Sequence, residues 1–301
     1  MSVVSKGNLF PPELLSGMID LVKGKSSLAR LSAAEPVPFE GADLFTFDFD
    51  NEVSILGEND AKVNGGVTVA PKSIRPYKFE YGARFSAEFM RASEDYQLRV
   101  LDRFSDGFAK RVARGVDIGA IHGLNPKTRA ASAVIGTNHF DNQASKTVTM
   151  TANANADVEA AIALITADEH DVTGMAMAPA FRSALAALTK TDGTPRFPEL
   201  GWGAEPGVIN GLPVDTNSTV SFNSSLDRAL LGNFRDFFRW GYASGTDIEI
   251  IEYGNPDNDA VAGDLKGHNQ IYIRGEVYIG WGILVPAAFA RIVAPAPVNP
   301  G

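Results

Sequence analysis

The chain has 301 residues, 45% hydrophobic and 21% charged, which is enough apolar material for a substantial core. Its net charge of −9 argues against tight, sequence-independent binding to nucleic acid, which requires a basic surface. The absence of cysteine excludes disulfides, thiolate metal sites and cysteine nucleophiles. No apolar run is long enough to span a bilayer, and residues 1–7 do not resemble a signal peptide, so we expect a soluble protein made in the cytosol.

The first 38 residues predict one short helix within a segment that is otherwise irregular. Apolar residues at helical spacing follow Pro11 and Pro12, and proline is favoured at the start of a helix. The stretch Lys23–Ser27 then predicts a polar break.

Residues 39–85 predict a long two-stranded β-hairpin with a polar tip. Phe45, Phe47 and Phe49 alternate with polar residues, which is the period of a strand. Turn-forming residues occupy 57–66, and an extended pattern resumes beyond them. A lone hairpin of this size is marginally stable in water, and no other part of the chain is an evident support. We therefore expect it to rest on something outside itself.

The strongest predicted helix covers residues 93–122. Ser93 is a suitable N-cap, and Glu94 and Asp95 lie in the first turn, where carboxylates favour the helix dipole. Apolar residues recur every three or four positions, and the pattern stops at Gly123. At 1.5 Å per residue this helix is about 45 Å long.

After a connection over 130–156, the second half predicts alternating helices and strands. Together with the hairpin and the long helix of the first half, they place the whole chain in the α+β class. Helices are predicted at 157–169 and 179–188. Strands are predicted at 174–178, from 211, and at 228–233, 247–253, 270–276 and 277–285, the last two as neighbours.

Enzyme and cofactor motifs are missing from the sequence. The four histidines do not occur at metal-ligand spacing, and neither a phosphate loop nor a nucleophile elbow is present. Asp257, Asn258 and Asp259 lack the glycine and glutamate of a calcium loop, which favours a solvated loop. The sequence predicts no enzyme, no cofactor and no metal site.

The order of the elements resembles the major capsid proteins of tailed bacteriophages, the Hong Kong 97 fold, over nearly the whole chain. The resemblance rests on an ordered set of short matches: Leu56-Gly57-Glu58, the long helix with its glycine turn, Met177-Ala178-Pro179, Thr191-Asp192-Gly193, Gly211-Leu212-Pro213-Val214, Leu231-Gly232-Asn233-Phe234, Arg274-Gly275-Glu276 and Val285-Pro286-Ala287-Ala288-Phe289.

The resemblance implies a division of the chain into the parts of a Hong Kong 97 subunit. These are an N-terminal arm at 1–38, an extended E-loop at 39–85, a P domain at 86–149 with its spine helix at 93–122, an A domain at 150–255, returning P-domain strands at 256–294 and a tail at 295–301. It also implies that the E-loop lies across a neighbouring subunit, which would hide its apolar face.

The function implied is that of a shell subunit. Hexamers and pentamers of the chain would close an icosahedral phage head around double-stranded DNA, which is enclosed without sequence-specific binding. Expected partners are other copies of the chain, a separate scaffolding protein, a portal and a decoration protein, with no membrane. The location implied is the virion capsid, assembled in the host cytoplasm.

Some members of the family join their subunits by an isopeptide bond, which the resemblance would assign here to Lys62, Asn269 and Glu276. Lys62 would attack the carboxamide of Asn269 while Glu276 takes a proton, in a dry interface that lowers the lysine pKa. Lys72 is a rival donor. The alternative is that Lys62 and Asn269 are solvated loop residues and Glu276 is a salt-bridge partner.

Two other classes of protein stay open. An encapsulin-like nanocompartment has the same fold but encloses a cargo enzyme, and it should begin with an amphipathic docking helix. A soluble α/β hydrolase or binding protein would be monomeric or a small oligomer, and the absence of a catalytic constellation disfavours it.

Overall fold

A computed structural model describes residues 25–296, apart from residues 50, 51 and 63. The helical pattern predicted before Lys23, most of the proposed N-terminal arm and the end of the tail lie outside the described residues.

Two β-sheets and one long helix form the framework of the described chain. The helices are α1 (Ser27–Leu31), α2 (Glu94–His122), α3 (Phe140–Gln143), α4 (Ala154–Thr166), α5 (Pro179–Ala186) and α6 (Phe234–Phe237). The strands are β1 (Ala42–Phe49), β2 (Val67–Ser86), β3 (Lys146–Thr149), β4 (Gly174–Met177), β5 (Val208–Ile209), β6 (Leu212–Thr216), β7 (Asp227–Gly232), β8 (Phe238–Ile251), β9 (Gln270–Ile283) and β10 (Phe289–Val293). Among the described helices, none has the length and apolarity needed to cross a membrane.

The predicted long helix is confirmed as α2, which is about 44 Å long at 1.5 Å per residue. It ends at Gly123, whose φ of 66° is the left-handed conformation that glycine adopts without strain. Ser93 occupies the N-cap position, but its side chain makes no capping hydrogen bond. One face of the first four turns is buried, whereas every residue from Gly115 to His122 is buried, so the helix is amphipathic at its start and enclosed at its end.

A four-stranded sheet with the order β1-β2-β9-β8 lies against this helix. The prediction that 270–276 and 277–285 are two strands was wrong, because β9 runs unbroken from Gln270 to Ile283. Arg274 and Glu276 lie where the two predicted strands meet, and they alternate with the buried residues Ile273 and Val277, which is the period of a single strand. Strand β8 likewise begins at Phe238, well before the predicted start at Asp247.

The continuity of β9 also corrects the expectation that nothing in the chain supports the hairpin. Strand β2 pairs with β9 from Arg75, opposite Trp281, to Ser86, opposite Gln270. The half of β2 before Arg75 pairs with β1 alone. The hairpin is therefore anchored in its own sheet at the base and extends beyond that sheet at the tip.

The second sheet has six strands in the order β3-β10-β7-β4-β6-β5. Its membership does not follow the predicted domain boundaries at 150 and 255. Strands β3 and β10 belong to this sheet although they come from 86–149 and 256–294, and β8 lies in the other sheet although it comes from 150–255. Pairing between distant segments decides sheet membership, and local sequence carries little information about it.

The main core lies where α2 meets both sheets, and Trp281 is at its centre. Trp281 is fully buried, its ring centroid lies 4.3 Å from that of Tyr77, and its indole N–H donates to the Asn138 carbonyl at 3.1 Å. The ring also lies against Gly119, where an added Cβ atom would be only 2.9 Å from it. The glycine therefore permits the close approach of α2 to β9.

We expect the same change at two positions of α2, Gly119→Ala and Gly107→Ala, to have opposite effects on the free energy of unfolding. At Gly119 the methyl group meets the Trp281 ring, and overpacking of this kind costs about 1–3 kcal/mol of unfolding free energy. At Gly107 nothing lies within 4 Å of the added atom, so alanine's better helix propensity should stabilise the chain by about 0.5–1 kcal/mol. Urea denaturation of the unassembled subunit measures both. Equal effects of the two changes would contradict the packing described for Trp281.

Candidate assembly surface

The part of the hairpin that leaves the sheet is a ribbon of two strands. Residues Ala42–Phe49 of β1 pair with Val67–Ile74 of β2, from Ala42 opposite Ile74 to Phe49 opposite Val67. Eight residues per strand give a projection of about 27 Å. Because β1 lies at the edge of the sheet, its outer backbone groups are available for pairing.

Apolar side chains of the ribbon and its tip are exposed to solvent. In the ribbon, Phe45 is 60% exposed, and Val67 and Val69 are about half exposed. At the tip, Val53 is 91% and Ile55 is 99% exposed, and Leu56 follows at 43%. Contiguous exposed apolar residues in a soluble protein mark a surface that another molecule covers.

The sequence prediction of a polar tip missed these tip residues, although the run Val53-Ser54-Ile55-Leu56 directly precedes the predicted turn. The turn itself is ordered by Asp60, whose carboxylate accepts from the Gly57 N–H at 2.6 Å and whose own N–H donates to the Gly57 carbonyl at 3.2 Å. The tip is thus an apolar stretch followed by a polar turn.

The three residues predicted for an isopeptide bond are not brought together within one chain. Lys62 lies in the exposed tip loop, and Asn269 lies in a left-handed turn directly before β9. Glu276 lies within β9, separated from Asn269 by roughly 20 Å of extended strand. Its carboxylate is paired with Lys78 at 2.8 Å and with Arg274 at 3.2 Å. The rival donor Lys72 lies in the ribbon, half buried and opposite Leu44.

A buried carboxylate at the end of α2, Asp117, holds three segments of the chain together. It accepts from the Ser26 hydroxyl at 2.5 Å and from the Ser27 N–H at 3.0 Å, at the start of α1. It also accepts from the Thr219 hydroxyl at 3.1 Å and from the Asn217 amide at 3.2 Å. The predicted polar break at Lys23–Ser27 is therefore wrong at its end, where Ser26 and Ser27 are fully buried.

This cluster could have been suspected from the sequence, because Asp117 stands between Val116 and Ile118 in the apolar end of the helix. Burial raises the pKa of Asp117 to about 6, although the hydrogen bonds from Ser26, Ser27 and Leu28 oppose the increase. The serine partners gave no such signal, because a short polar stretch is typical of a loop.

The comparisons with known proteins agree with this architecture. A family model described as the phage capsid family matches residues 6–294. The chain belongs to the phage capsid family. It is accordingly a phage major capsid protein, a structural component of the virion capsid that assembles into capsid oligomers.

Solved structures of phage proteins resemble the capsid protein over most of its length. A chain from Mycobacterium phage Ogopogo is 32% identical with a TM-score of 0.76, and the match covers 90% of this chain and 92% of that one. A chain from Gordonia phage Cozz is 26% identical with a TM-score of 0.75, covering 90% and 87%. The capsid of an empty GTA particle, at 14% identity and a TM-score of 0.63 over 90% of each chain, shares the fold alone. No curated protein matches the sequence.

A second buried polar cluster in the capsid protein contains His122, Asp141, Asp227 and Arg291. The ligand atoms of the histidine and the two aspartates lie within 4.8 Å of one another, which is close enough to hold a metal ion. However, Arg291 already contacts Asp227 at 2.9 Å and Asp141 at 3.5 Å. A guanidinium within this group supplies the positive charge that a metal ion would bring, so the arrangement is an ion-pair network.

The protonation of His122 follows from its two contacts. Its Nε2 lies 2.9 Å from the Thr219 carbonyl, which can only accept, and its Nδ1 lies 2.8 Å from the Asp141 carboxylate. Burial lowers the pKa of His122, but the hydrogen bond and the charge of Asp141 outweigh that effect and the pKa is raised. With a proton on each nitrogen, His122 carries the positive charge that matches Asp141.

We expect the stability of the subunit to depend on pH through Asp117. Because its pKa is about 6 when folded and near 3.9 when unfolded, its contribution is complete below pH 4 and is lost as the pH rises through 6. The stability difference between the unchanged chain and Asp117→Asn should therefore fall by about 2 kcal/mol between pH 4 and pH 7. Urea denaturation of unassembled subunits across this range measures it. Asp102→Asn, at an exposed position of the same helix, is the control. A stability difference for Asp117→Asn that does not change with pH would refute the assignment.

Proposed function

We propose that this capsid protein is the repeating subunit of an icosahedral phage head that encloses double-stranded DNA. Hexamers and pentamers of the chain form the shell. The observation that carries this proposal is the exposed apolar hairpin, which is anchored at its base in β9 and uncovered at its tip. A surface of that kind gains its stability by covering another subunit.

Within this proposal, the parts of the chain correspond to those of a Hong Kong 97 subunit. The ribbon and its tip act as the E-loop, α2 is the spine helix of the P domain beside the four-stranded sheet, and the six-stranded sheet forms the core of the A domain. The net charge of −9 is consistent with a shell that encloses DNA without binding the DNA tightly. Scaffolding, portal and decoration proteins are the further proposed partners, and assembly takes place in the host cytoplasm.

The phage head is favoured over an encapsulin-like compartment by the family match and by the likeness to chains from two phages. Native particles separate the two functions directly. A phage head that contains DNA absorbs more strongly at 260 nm than at 280 nm, whereas a compartment filled with enzyme does not.

We expect the tip variant Ile55→Asp/Leu56→Asp to remain folded and to lose assembly. Burial of an aliphatic side chain contributes about 1.5–3 kcal/mol, so placing two charges in the contact should reduce shell formation by more than about tenfold. Circular dichroism checks the fold, and sedimentation with electron microscopy measures shell formation.

Val261→Asp provides the matched control for this experiment. Val261 is 94% exposed, comparable with Ile55, but lies in a loop outside the hairpin. Shells that form as readily from the tip variant as from the control would contradict the proposed role of the hairpin.

The isopeptide bond is a second, separable proposal. The Lys62 amine attacks the side-chain carbonyl carbon of Asn269 in another copy, the new C–N bond forms, and the asparagine's amide nitrogen leaves as ammonia with the proton that Glu276 relays. Because roughly 20 Å separates Asn269 from Glu276 along one chain, the reaction needs groups from more than one subunit.

If this reaction occurs, denaturing gels of mature particles should show a ladder of covalent oligomers. Lys62→Arg should abolish the ladder, because a guanidinium is not nucleophilic at neutral pH, whereas Lys72→Arg should leave it unchanged. If denaturing gels of the particles show only the monomer band, the isopeptide bond is contradicted, but the function as a shell subunit is not.

A further inference from the structure

We propose that Asn64, in the tip loop of the hairpin, is a site of spontaneous covalent modification. Its side-chain amide is lost as ammonia, and the residue becomes aspartate or isoaspartate. The sequence contains two Asn-Gly pairs, Asn64-Gly65 and Asn210-Gly211. Because the two pairs have the same chemistry, the fold around each pair decides which one reacts. The modification takes place in the unassembled subunit and does not depend on the proposed function.

The reaction needs only the chain and water. The backbone nitrogen of Gly65 loses its proton to solvent and attacks the side-chain carbonyl carbon of Asn64. A new C–N bond forms, the bond to the amide nitrogen breaks, and that nitrogen leaves as ammonia with a proton from solvent. Water then opens the resulting succinimide ring at either carbonyl, which gives aspartate or isoaspartate. Glycine favours the attack because it has no Cβ atom beside the attacking nitrogen.

The surroundings of Asn64 leave its backbone able to reach the reacting geometry. Asn64 and Gly65 are exposed and belong to no helix or strand. Within the described residues, nothing forms a hydrogen bond with the Asn64 side chain or the Gly65 N–H. An atom added at the Cβ position of Gly65 would have no neighbour within 4 Å. Rotation of the Asn64 backbone can therefore bring the Gly65 nitrogen against the side-chain carbonyl carbon.

The pair Asn210-Gly211 is also exposed, but it is held in a tight turn. Its φ values of 49° and 85° are both left-handed, and it connects β5 to β6 with Ile209 opposite Leu212. Strand β6 also pairs with β4, so the turn is anchored in the six-stranded sheet. Ring closure would require this turn to open, and local opening costs free energy. We therefore expect slow reaction at Asn210 in the folded chain.

Hydroxylamine provides a direct test, because it attacks a succinimide ring and cleaves the chain at that residue. The full-length, unassembled subunit is treated at mildly alkaline pH, where the attacking nitrogen loses its proton more often. Fragments 1–64 and 65–301 should form at least about tenfold faster than fragments 1–210 and 211–301, since an opening cost of about 1.4 kcal/mol already gives this ratio. In urea, where neither pair is held by the fold, the two cleavages should proceed at similar rates.

Gly65→Ala is the matched variant. The φ of Gly65 lies outside the left-handed region and the space around it is open, so alanine should be accepted without a change of fold. Its methyl group hinders the attack, and fragments 1–64 and 65–301 should be lost. Circular dichroism checks that the variant is folded.

Three results would overturn the proposal. These are equal cleavage at both pairs in the folded subunit, cleavage at Asn210 alone, and no cleavage at Asn64 over a period in which the chain in urea is cut at both. Peptide mass mapping of subunits stored without hydroxylamine gives a second measurement. Aspartate and isoaspartate should accumulate at residue 64, and a residue that stays asparagine overturns the proposal as well.

The modification also has a consequence for assembly, which rests on the proposed function of the hairpin. It places a new carboxylate in the tip loop near Glu58 and Asp60, and isoaspartate adds a methylene group to the backbone. Stored subunits should therefore form fewer shells than fresh ones, whereas stored Gly65→Ala subunits should not. Equal yields from stored and fresh subunits would overturn this consequence, and failure of fresh subunits to form shells would overturn the function itself.

Discussion

The pairing of β2 with β9 is the constraint on which the rest of the structure depends. The ladder between them ends where Arg75 lies opposite Trp281, and from that point β2 continues with β1 alone. Trp281 is also the side chain that packs against Gly119 of α2. Because one residue both ends the ladder and fills the core, the direction in which the hairpin leaves the molecule is fixed relative to the long helix.

Two buried charged residues near the end of α2 add a second constraint. Asp117 accepts a hydrogen bond from the Thr219 hydroxyl, and His122, nearer the end of the same helix, contacts the Thr219 carbonyl. Two side chains of α2 therefore hold the same loop residue. Asp117 also fixes the start of α1 through Ser26 and Ser27. Burial of these charges is costly, and the donors around the Asp117 carboxylate offset only part of that cost, which is why its pKa is raised. The helix end thereby ties the segment around residue 26 to the loop that follows β6 of the six-stranded sheet.

Local sequence predicted the elements whose signals are local. The long helix ends at Gly123 as its pattern indicated, and Pro179 begins a helix as proline at N1 favours. Most of the errors concern long-range pairing: β9 was predicted as two strands, β3 was missed, and β10 lies in the sheet to which it was not assigned. The short helix α3 was also missed, because it lies in a polar connection. At the candidate assembly surface, the exposed ribbon followed from its period-two pattern, whereas the Asp117 cluster joins α1, α2 and the loop after β6. No single stretch of sequence reveals a cluster that exists only when distant segments pack together.

In the proposed shell, the exposed hairpin of each copy contacts a different copy, so the contacts are heterologous and run head to tail. In a complete shell, the hairpin of each copy contacts a neighbour and each copy is contacted by the hairpin of another, so no contact is missing. At the rim of a partly built shell, by contrast, some hairpins have no neighbour to contact and some copies are contacted by no hairpin. The number of these missing contacts grows with the length of the rim. In the proposed shell, a ribbon that projects about 27 Å from its sheet would therefore make partly built intermediates less favourable than the complete shell, which would favour all-or-none closure.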